Sequence, residues 1–202
     1  MKRSFPDELD RVVVVGTSCS GKTTFARHLS ELLQARHIEL DAIHWKADWE
    51  PRAPAELRHL VEEAVSDERW IVDGNYGAVR EVTWPRATAV AWLNYPFWLV
   101  FSRALWRTVR RVSTREELYS GNRESFRGAF LSRDSILLWI ISSHWRHRRD
   151  YRRLRETEHY PELRFFEFRR PKEASIFLAQ TRARARAKRQ EEAGDGGDPG
   201  SL

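Results

Sequence analysis

The sequence has almost no cysteine and contains no long apolar run. Its 202 residues include a single cysteine, Cys19, which excludes an intrachain disulfide and a cluster of thiolate metal ligands. The longest strongly apolar stretch, Ile136 to Ile141, is far shorter than the roughly 20 residues that a membrane-spanning helix needs. The first ten residues also lack the apolar core of a signal peptide. We therefore expect a cytoplasmic protein without a membrane partner.

Tryptophan and arginine are present in excess. The chain has nine tryptophans and a formal net charge of +6. The charge is unevenly distributed, since residues 1–102 carry 12 basic and 15 acidic side chains, whereas residues 103–155 carry 14 arginines against 5 acids. Such a basic segment indicates either solvated helix faces or a surface that binds phosphates or nucleic acid.

Short β-branched and apolar runs alternate with segments of helical periodicity. The predicted strands are Arg11–Val15, His37–Asp41, Trp70–Asp73, Ala89–Leu93 and Leu163–Phe168. Helices are predicted from Lys22 to Arg36 and from Pro54 onward, because apolar residues recur there at helical spacing. Strands that alternate with helices favour a parallel sheet covered on both faces.

Two long helices are predicted in the basic part of the chain. The first covers Phe97 to Val112, the second covers roughly Phe126 to Glu156, and a polar stretch separates them. We interpret this unit, about residues 103–130, as a lid. In the second helix, Trp139 and Trp145 lie among leucines and isoleucines and are predicted to be core residues.

The end of the chain differs in composition from the rest. Residues 182–202 begin as an alternating Arg/Ala continuation of the last helix and finish in a glycine-rich segment. Low hydrophobicity and clustered glycine predict a flexible tail. The folded domain is therefore expected to comprise residues 1–181.

The strongest motif is a glycine-bounded loop between the first predicted strand and the first predicted helix. It reads Gly16-Thr17-Ser18-Cys19-Ser20-Gly21-Lys22-Thr23. In such a loop the backbone N–H groups surround a phosphate, and the lysine neutralises the outer phosphates. Thr23 would then bind Mg²⁺, and Thr24 is a further candidate for a phosphate contact. The motif predicts that the chain binds ATP with Mg²⁺.

With these residues the sequence resembles the adenylate kinase-like P-loop kinases, in particular the subgroup labelled DNA topology modulation proteins. The resemblance extends from about Val12 to Leu178 and includes, besides the phosphate loop, the segments Leu40–Trp45, Trp70–Tyr76, Tyr95-Pro96 and Gly121–Ser125. It implies a three-layer α/β/α P-loop NTPase fold. The sheet would have five parallel strands in the order 2-3-1-4-5, with a helical lid inserted.

Two aspartates are predicted at the carboxyl ends of neighbouring strands. Asp41 ends the second predicted strand and Asp73 ends the third, so both should emerge at the edge where the phosphate loop lies. The resemblance implies that Asp73 holds the Mg²⁺ shell, and that Asp41, His44 and Trp45 orient the hydroxyl of an acceptor. A capping role for Asp73 and a purely structural role for His44 stay open as alternatives.

Further candidates follow the third strand and lie in the lid. Asn75 and Arg80 are expected to face the acceptor cleft, where Arg80 is either a clamp for an anionic acceptor or an ordinary surface arginine. Arg111 and Arg123 are the lid arginines predicted to close over the transferred phosphoryl group, which needs cationic side chains around it.

These patterns favour a Mg²⁺-dependent, ATP-using kinase whose acceptor is a small molecule or a nucleotide. The alternative is a nucleotide-dependent protein that binds nucleic acid through residues 103–155, as the label of the subgroup suggests. The sequence shows no zinc ligand set and no convincing helix-turn-helix. Residues 73–76 read Asp-Gly-Asn-Tyr where adenylate kinases have Asp-Gly-Phe-Pro-Arg, which counts against AMP as the acceptor.

Overall fold

The computed structural model describes residues 9–114, 136–156 and 160–195, so much of the predicted lid lies outside the described residues. The strands are β1 (Arg11–Gly16), β2 (Arg36–Glu39), β3 (Trp70–Asp73), β4 (Ala89–Leu93) and β5 (Arg164–Phe168). They form one parallel sheet in the order β2-β3-β1-β4-β5. The predicted fold class and strand order are confirmed.

Helices connect the strands and cover the sheet. They are α1 (Lys22–Leu33), α2 (Leu40–His44), α3 (Pro54–Ala64), α4 (Arg80–Thr83), α5 (Phe97–Thr114), α6 (Ile136–Glu156) and α7 (Pro171–Asp195). Single 3₁₀ turns are formed by Ala47–Trp49, Gly77–Val79 and Trp84–Arg86. α3 begins at Pro54 because proline's fixed φ suits the first helical turn, where its missing N–H costs nothing.

Each face of the sheet is buried under helices. Along β1, Val12 and Val14 pack into one core with Phe25 and Leu29 of α1. Val13 and Val15 point to the other core, whose members include Leu57, Val61, Trp70, Trp84 and Tyr151. A strand that is apolar on both sides is the expected sequence of a central parallel strand. The three-layer arrangement therefore follows from the continuous valine run.

The second strand ends earlier than the sequence predicts. β2 pairs with β3 only as far as Glu39 opposite Asp73, and Asp41 lies in the short helix α2. β3 stops at Asp73 because Gly74 turns the chain at φ 139°, so residues after Glu39 have no strand to pair with. The chain closes into a helical turn in which the Trp45 N–H donates to the Asp41 carbonyl oxygen at 3.2 Å.

The prediction that Trp139 and Trp145 are core residues is wrong. Their exposed fractions are 48% and 59%, whereas Ile140 between them is fully buried. α6 buries the face that carries Ile140, His144 and Tyr151. Because the apolar run in its first turns covers every side of the helix, periodicity could not show which side would be covered.

The carboxyl-terminal helix α7 continues to Asp195 and thus includes part of the segment predicted as a tail. The division at residue 181 stays a prediction. Within the three described ranges, no helix combines the length and apolar character needed to cross a bilayer. The cytoplasmic location also stays a prediction.

Replacing Leu29 with alanine should test the core on the α1 side of the sheet. Leu29 is fully buried, and a cavity at such a site costs about 2–5 kcal/mol of unfolding free energy. Leu105→Ala on α5, where the leucine is 41% exposed, is the matched control and should cost less than about 1 kcal/mol. Urea denaturation measures both variants. Equal losses would contradict the assigned packing.

Candidate active site

The phosphate loop, residues 16–23, joins β1 to α1 at the carboxyl edge of the sheet. Gly16 has φ 150°, and a Cβ there would lie 2.7 Å from the Leu93 carbonyl oxygen. Gly21 has φ 91°, and its carbonyl oxygen accepts from the Phe25 N–H at 3.0 Å. Gly16 is therefore required both because a side chain would collide with Leu93 and because φ is positive. Gly21 is required because of its positive φ alone.

Lys22 lies near two carboxylates, those of Asp41 and Asp73. Its Nζ donates to the carbonyl oxygen of Thr17 at 3.4 Å. Burial lowers the pKa of this amine, and the nearby carboxylates of Asp41 and Asp73 act in the opposite direction. The structure thus brings Asp41 and Asp73 into electrostatic contact with the lysine of the loop, as the strand-end argument predicts, although Asp41 arrives there on a helix.

Asp73 is almost completely buried, with 2% of its surface exposed. Thr23 Oγ1 donates to Asp73 Oδ1 at 3.1 Å, and His37 Nε2 lies 2.7 Å from Asp73 Oδ2. His37 was not predicted from the sequence, because its role depends on its position beside β3 in the sheet. The two partners stabilise a carboxylate that burial would otherwise penalise.

Thr23 and Asp73 fit a Mg²⁺ ion. Hydroxyl and carboxylate oxygens are hard ligands, and protein-bound Mg²⁺ commonly has one or two of them and completes its shell with phosphate oxygens and water. No group of three or more His, Cys, Asp or Glu side chains that could hold a metal occurs in the part of the chain that the structure describes. The pair therefore suits a metal that arrives together with phosphates better than a closed protein cage.

Asp41, His44 and Trp45 form one cluster with Tyr76. The Tyr76 hydroxyl donates to Asp41 Oδ1 at 2.6 Å. The His44 ring centroid lies 4.6 Å from that of Trp45 and 4.5 Å from that of Tyr76. Burial lowers the pKa of His44, and Asp41 partly opposes this shift. Among the residues described, Nδ1 of His44 has no hydrogen-bond partner although it is buried.

Asn75 connects the end of β3 to the phosphate loop. Its Oδ1 accepts from the Gly16 N–H at 3.2 Å, and its Nδ2 donates to the Gly16 carbonyl oxygen. Tyr151 of α6 also donates to Asn75 Oδ1, at 2.9 Å. The structure therefore uses this amide to position the first residue of the loop, whereas the sequence predicted a contact with substrate.

Arg80 lies beside the same tyrosine of α6. Its guanidinium is 5.4 Å from the centre of the Trp84 ring, and it forms a side-chain hydrogen bond with Tyr151. The pKa of Tyr151 is raised because the phenol is buried, an effect that the Arg80 charge partly opposes. Arg80 is thus a half-buried, packed arginine.

Two arginines in the middle of α5 act on the phosphate loop and its lysine. Arg103 Nη1 donates to the Ser20 carbonyl oxygen at 3.3 Å, and the positive charge of Arg107 lowers the pKa of Lys22. The sequence favoured Arg111, which lies one turn beyond Arg107, and Arg123, which lies outside the described residues. The four-residue spacing from 103 to 111 was visible in the sequence, but not which turn of the helix lies against the loop.

Helix α6 contributes two histidines that the sequence analysis did not single out. His144 is buried, and its Nδ1 lies 3.1 Å from Thr17 Oγ1 of the phosphate loop. Burial lowers the pKa of His147 to about 4, and the charges of Arg146 and Lys22 contribute in the same direction. The only sequence signal was their spacing with Tyr151 along one helix face.

The comparisons with known proteins support the fold. No protein-family model and no curated protein sequence matches the chain. A crystal structure of shikimate kinase from Bacteroides thetaiotaomicron matches 85% of this chain and 95% of its own, with a TM-score of 0.51 and 15% sequence identity. A gluconokinase from Sinorhizobium meliloti 1021 matches 89% of this chain and 97% of its own, with a TM-score of 0.45 and 15% identity. At this identity the first likeness shows a shared fold, that of a P-loop kinase, and the narrower resemblance to topology modulation proteins stays a prediction.

The Asn75→Ala variant should destabilise the protein and weaken nucleotide binding. The substitution leaves Gly16 and Tyr151 without their partner, which should cost about 3 kcal/mol of unfolding free energy and raise the ATP Kd by about tenfold or more. Tyr151→Phe removes one of these bonds only and should cost about 1 kcal/mol. Denaturation and calorimetric titration with ATP measure the effects. An unchanged ATP affinity in Asn75→Ala would refute the positioning role.

The half-buried His147 should make the unfolding free energy depend on pH. Its pKa of about 4 in the folded chain is below the ordinary value of 6.5, so the unfolded chain takes up the proton first as the pH falls. The folded state should therefore lose roughly 1–2 kcal/mol between pH 7 and pH 4 through this group, less than the full shift would give because solvent screens a partly exposed ring. Denaturation curves of His147→Phe should show a smaller loss over this range, and His59→Phe on the exposed side of α3 should retain the wild-type loss. Identical pH profiles for all three proteins would exclude the assignment.

Proposed function

We propose that this protein is a Mg²⁺-dependent kinase that transfers the γ-phosphoryl group of ATP to a hydroxyl of a small-molecule acceptor. The observation that carries the proposal is the convergence of Lys22, Asp73 and Asp41 at one edge of the sheet. A P-loop kinase fold supports it, because ligands of open α/β sheets bind at this edge.

The nucleotide would bind to the loop and to α5. Backbone N–H groups at the start of α1 would bind phosphate oxygens, and Lys22 adds a positive charge where charge accumulates during transfer. Arg103 and Arg107 supply further cationic groups next to the loop. Phosphoryl transfer depends mostly on such positioning and charge neutralisation.

Thr23 and Asp73 would hold the Mg²⁺ ion. When bound, this ion neutralises charge on the β- and γ-phosphates. Its two protein ligands are already oriented toward each other by their hydrogen bond of 3.1 Å. His37 holds the second oxygen of the Asp73 carboxylate and so fixes the direction of the first.

The acceptor would bind on the side of Asp41. Its carboxylate can accept the proton of the attacking hydroxyl, and the hydrogen bond from Tyr76 fixes the orientation of that carboxylate. Asp41 interacts electrostatically with Lys22, so the acceptor and the phosphates would meet between these two residues.

The arginines of α5 count against the alternative of a nucleic-acid-binding protein. Arg103 donates to the phosphate loop, and the charge of Arg107 acts on Lys22. The basic segment is therefore better explained as part of the kinase site.

Lys22→Ala should abolish ATP binding or turnover and leave the fold intact. The variant removes the cation that neutralises the phosphates, which should lower ATP affinity by at least about tenfold. Lys172→Ala, at the exposed start of α7, is the matched control and should behave as wild type. Titration with Mg²⁺-ATP and circular dichroism measure the two properties. Normal ATP affinity and turnover in Lys22→Ala would refute the proposed function.

A further inference from the structure

A continuous row of aromatic rings leads from Asp41 to the protein surface. We call Tyr76, His44, Trp45 and Trp49 the aromatic row. Their consecutive ring centroids are 4.5, 4.6 and 5.7 Å apart. The row begins at the hydroxyl bonded to Asp41 and ends at Trp49, which is 36% exposed. It forms a wall on which a ring or another apolar face can stack.

Two basic side chains next to the aromatic row, Lys46 and Arg52, are both paired with Glu56. Lys46 Nζ lies 3.2 Å from Glu56 Oε2, and Arg52 Nη1 bonds to Glu56 Oε1. Arg52 Nε also donates to the Ile43 carbonyl oxygen at 2.7 Å. Hydrogen bonds from Lys46 and Arg52 lower the pKa of Glu56. Neither cation is presented to the cleft as an anion receptor.

The other described cations around the cleft lie away from the aromatic row. Arg80 is held by Trp84 and Tyr151. Lys22, Arg103 and Arg107 lie at the phosphate loop and serve the nucleotide in the proposed function. Among the residues that the structure describes, an acceptor with a carboxylate or phosphate group would therefore bring its charge toward Asp41 without a matched cation on the side of the aromatic row, and like charges at short distance repel.

The aromatic row also offers one polar contact. His44 Nδ1 is buried and has no hydrogen-bond partner within the described ranges, and the ring is next to Tyr76 and Trp45. A buried nitrogen without a partner is costly unless a ligand satisfies it. A hydroxyl group of the acceptor could provide this bond.

We propose that the acceptor is a ring-bearing alcohol without an anionic group. This inference rests on the proposed kinase function and names the class of its acceptor. The ring stacks on the aromatic row, and the reacting hydroxyl binds at Asp41. The hydroxyl oxygen forms a bond to the γ-phosphorus, the bond from that phosphorus to the β–γ bridging oxygen breaks, ADP leaves, and the hydroxyl proton passes to the Asp41 carboxylate.

Matched acceptor pairs that differ in charge test the proposal. Shikimate and its methyl ester share their ring hydroxyls, and nucleosides can be compared with their 5′-monophosphates in the same way. With Mg²⁺-ATP and wild-type protein, product masses and ADP release give kcat/KM for each compound. We expect the uncharged member of at least one pair to react with a kcat/KM at least about tenfold higher than that of its anionic partner.

Two variants test whether the aromatic row and the cations beside it cause the preference for an uncharged acceptor. Glu56→Gln releases Lys46 and Arg52 and should raise kcat/KM for the anionic members about threefold or more, while Glu62→Gln on the exposed side of α3 should not. Trp45→Ala should raise the KM for the uncharged acceptor about tenfold with little change in the KM for ATP. Trp45→Phe keeps a ring and should restore most of the affinity.

The outcomes separate this inference from the proposed function. If wild-type protein fails to bind ATP, the kinase proposal itself is refuted. If ATP binds in a Lys22-dependent manner but anionic members react faster, or no uncharged compound reacts, the acceptor class is wrong and the ATP site stands. Unchanged acceptor kinetics in Trp45→Ala would equally overturn the role of the aromatic row.

Discussion

A buried carboxylate, that of Asp73, constrains the whole site. A charge that is removed from water needs hydrogen bonds and opposite charge to be tolerated. Thr23 at the start of α1 and His37 on β2 supply the hydrogen bonds, and Lys22 supplies the charge. Because these partners come from different elements, satisfying one side chain fixes the helix, the loop and two strands relative to one another.

The two sides of the cleft differ in charge. On the nucleotide side, Lys22, Arg103 and Arg107 concentrate positive charge around a loop of backbone N–H groups. On the acceptor side, Glu56 neutralises Lys46 and Arg52, and the surface is formed by aromatic rings. Asp41 lies between the two sides. In the proposed function, the fold would attract a polyanion at one end and disfavour a second one at the other.

The sequence was sufficient to predict those features for which local geometry demands particular residues. The phosphate loop could be located because two glycines, a lysine and a hydroxyl are required at fixed spacing, and the sheet because valine runs follow from burial on both faces. The strand-end position of Asp73 followed from the same pattern. Asp41 was placed near the site by a correct argument about the sheet edge but on the wrong element, since the end of β2 depends on where its neighbour β3 turns away.

Other features depend on tertiary contacts that a single sequence does not encode. The contacts of Arg103 and Arg107 with the loop and its lysine depend on which turn of α5 lies against the loop, and the role of Arg111 stays a prediction. The buried face of α6 has polar residues, and the apolar residues beside it are largely outside, so hydrophobicity alone was misleading. His37 and Asn75 have their roles because β2, β3 and the loop are neighbours in space.

The exposure of the tryptophans on α5 and α6 has a spectroscopic consequence. Trp98, Trp106 and Trp145 have 76%, 72% and 59% of their surface exposed, whereas Trp70, Trp84 and Trp92 are buried in the core. The emission of the native chain is therefore a mixture of solvated and shielded indoles. A quencher in the solvent would remove the first population and leave the second, so that unfolding could be followed through the core tryptophans alone.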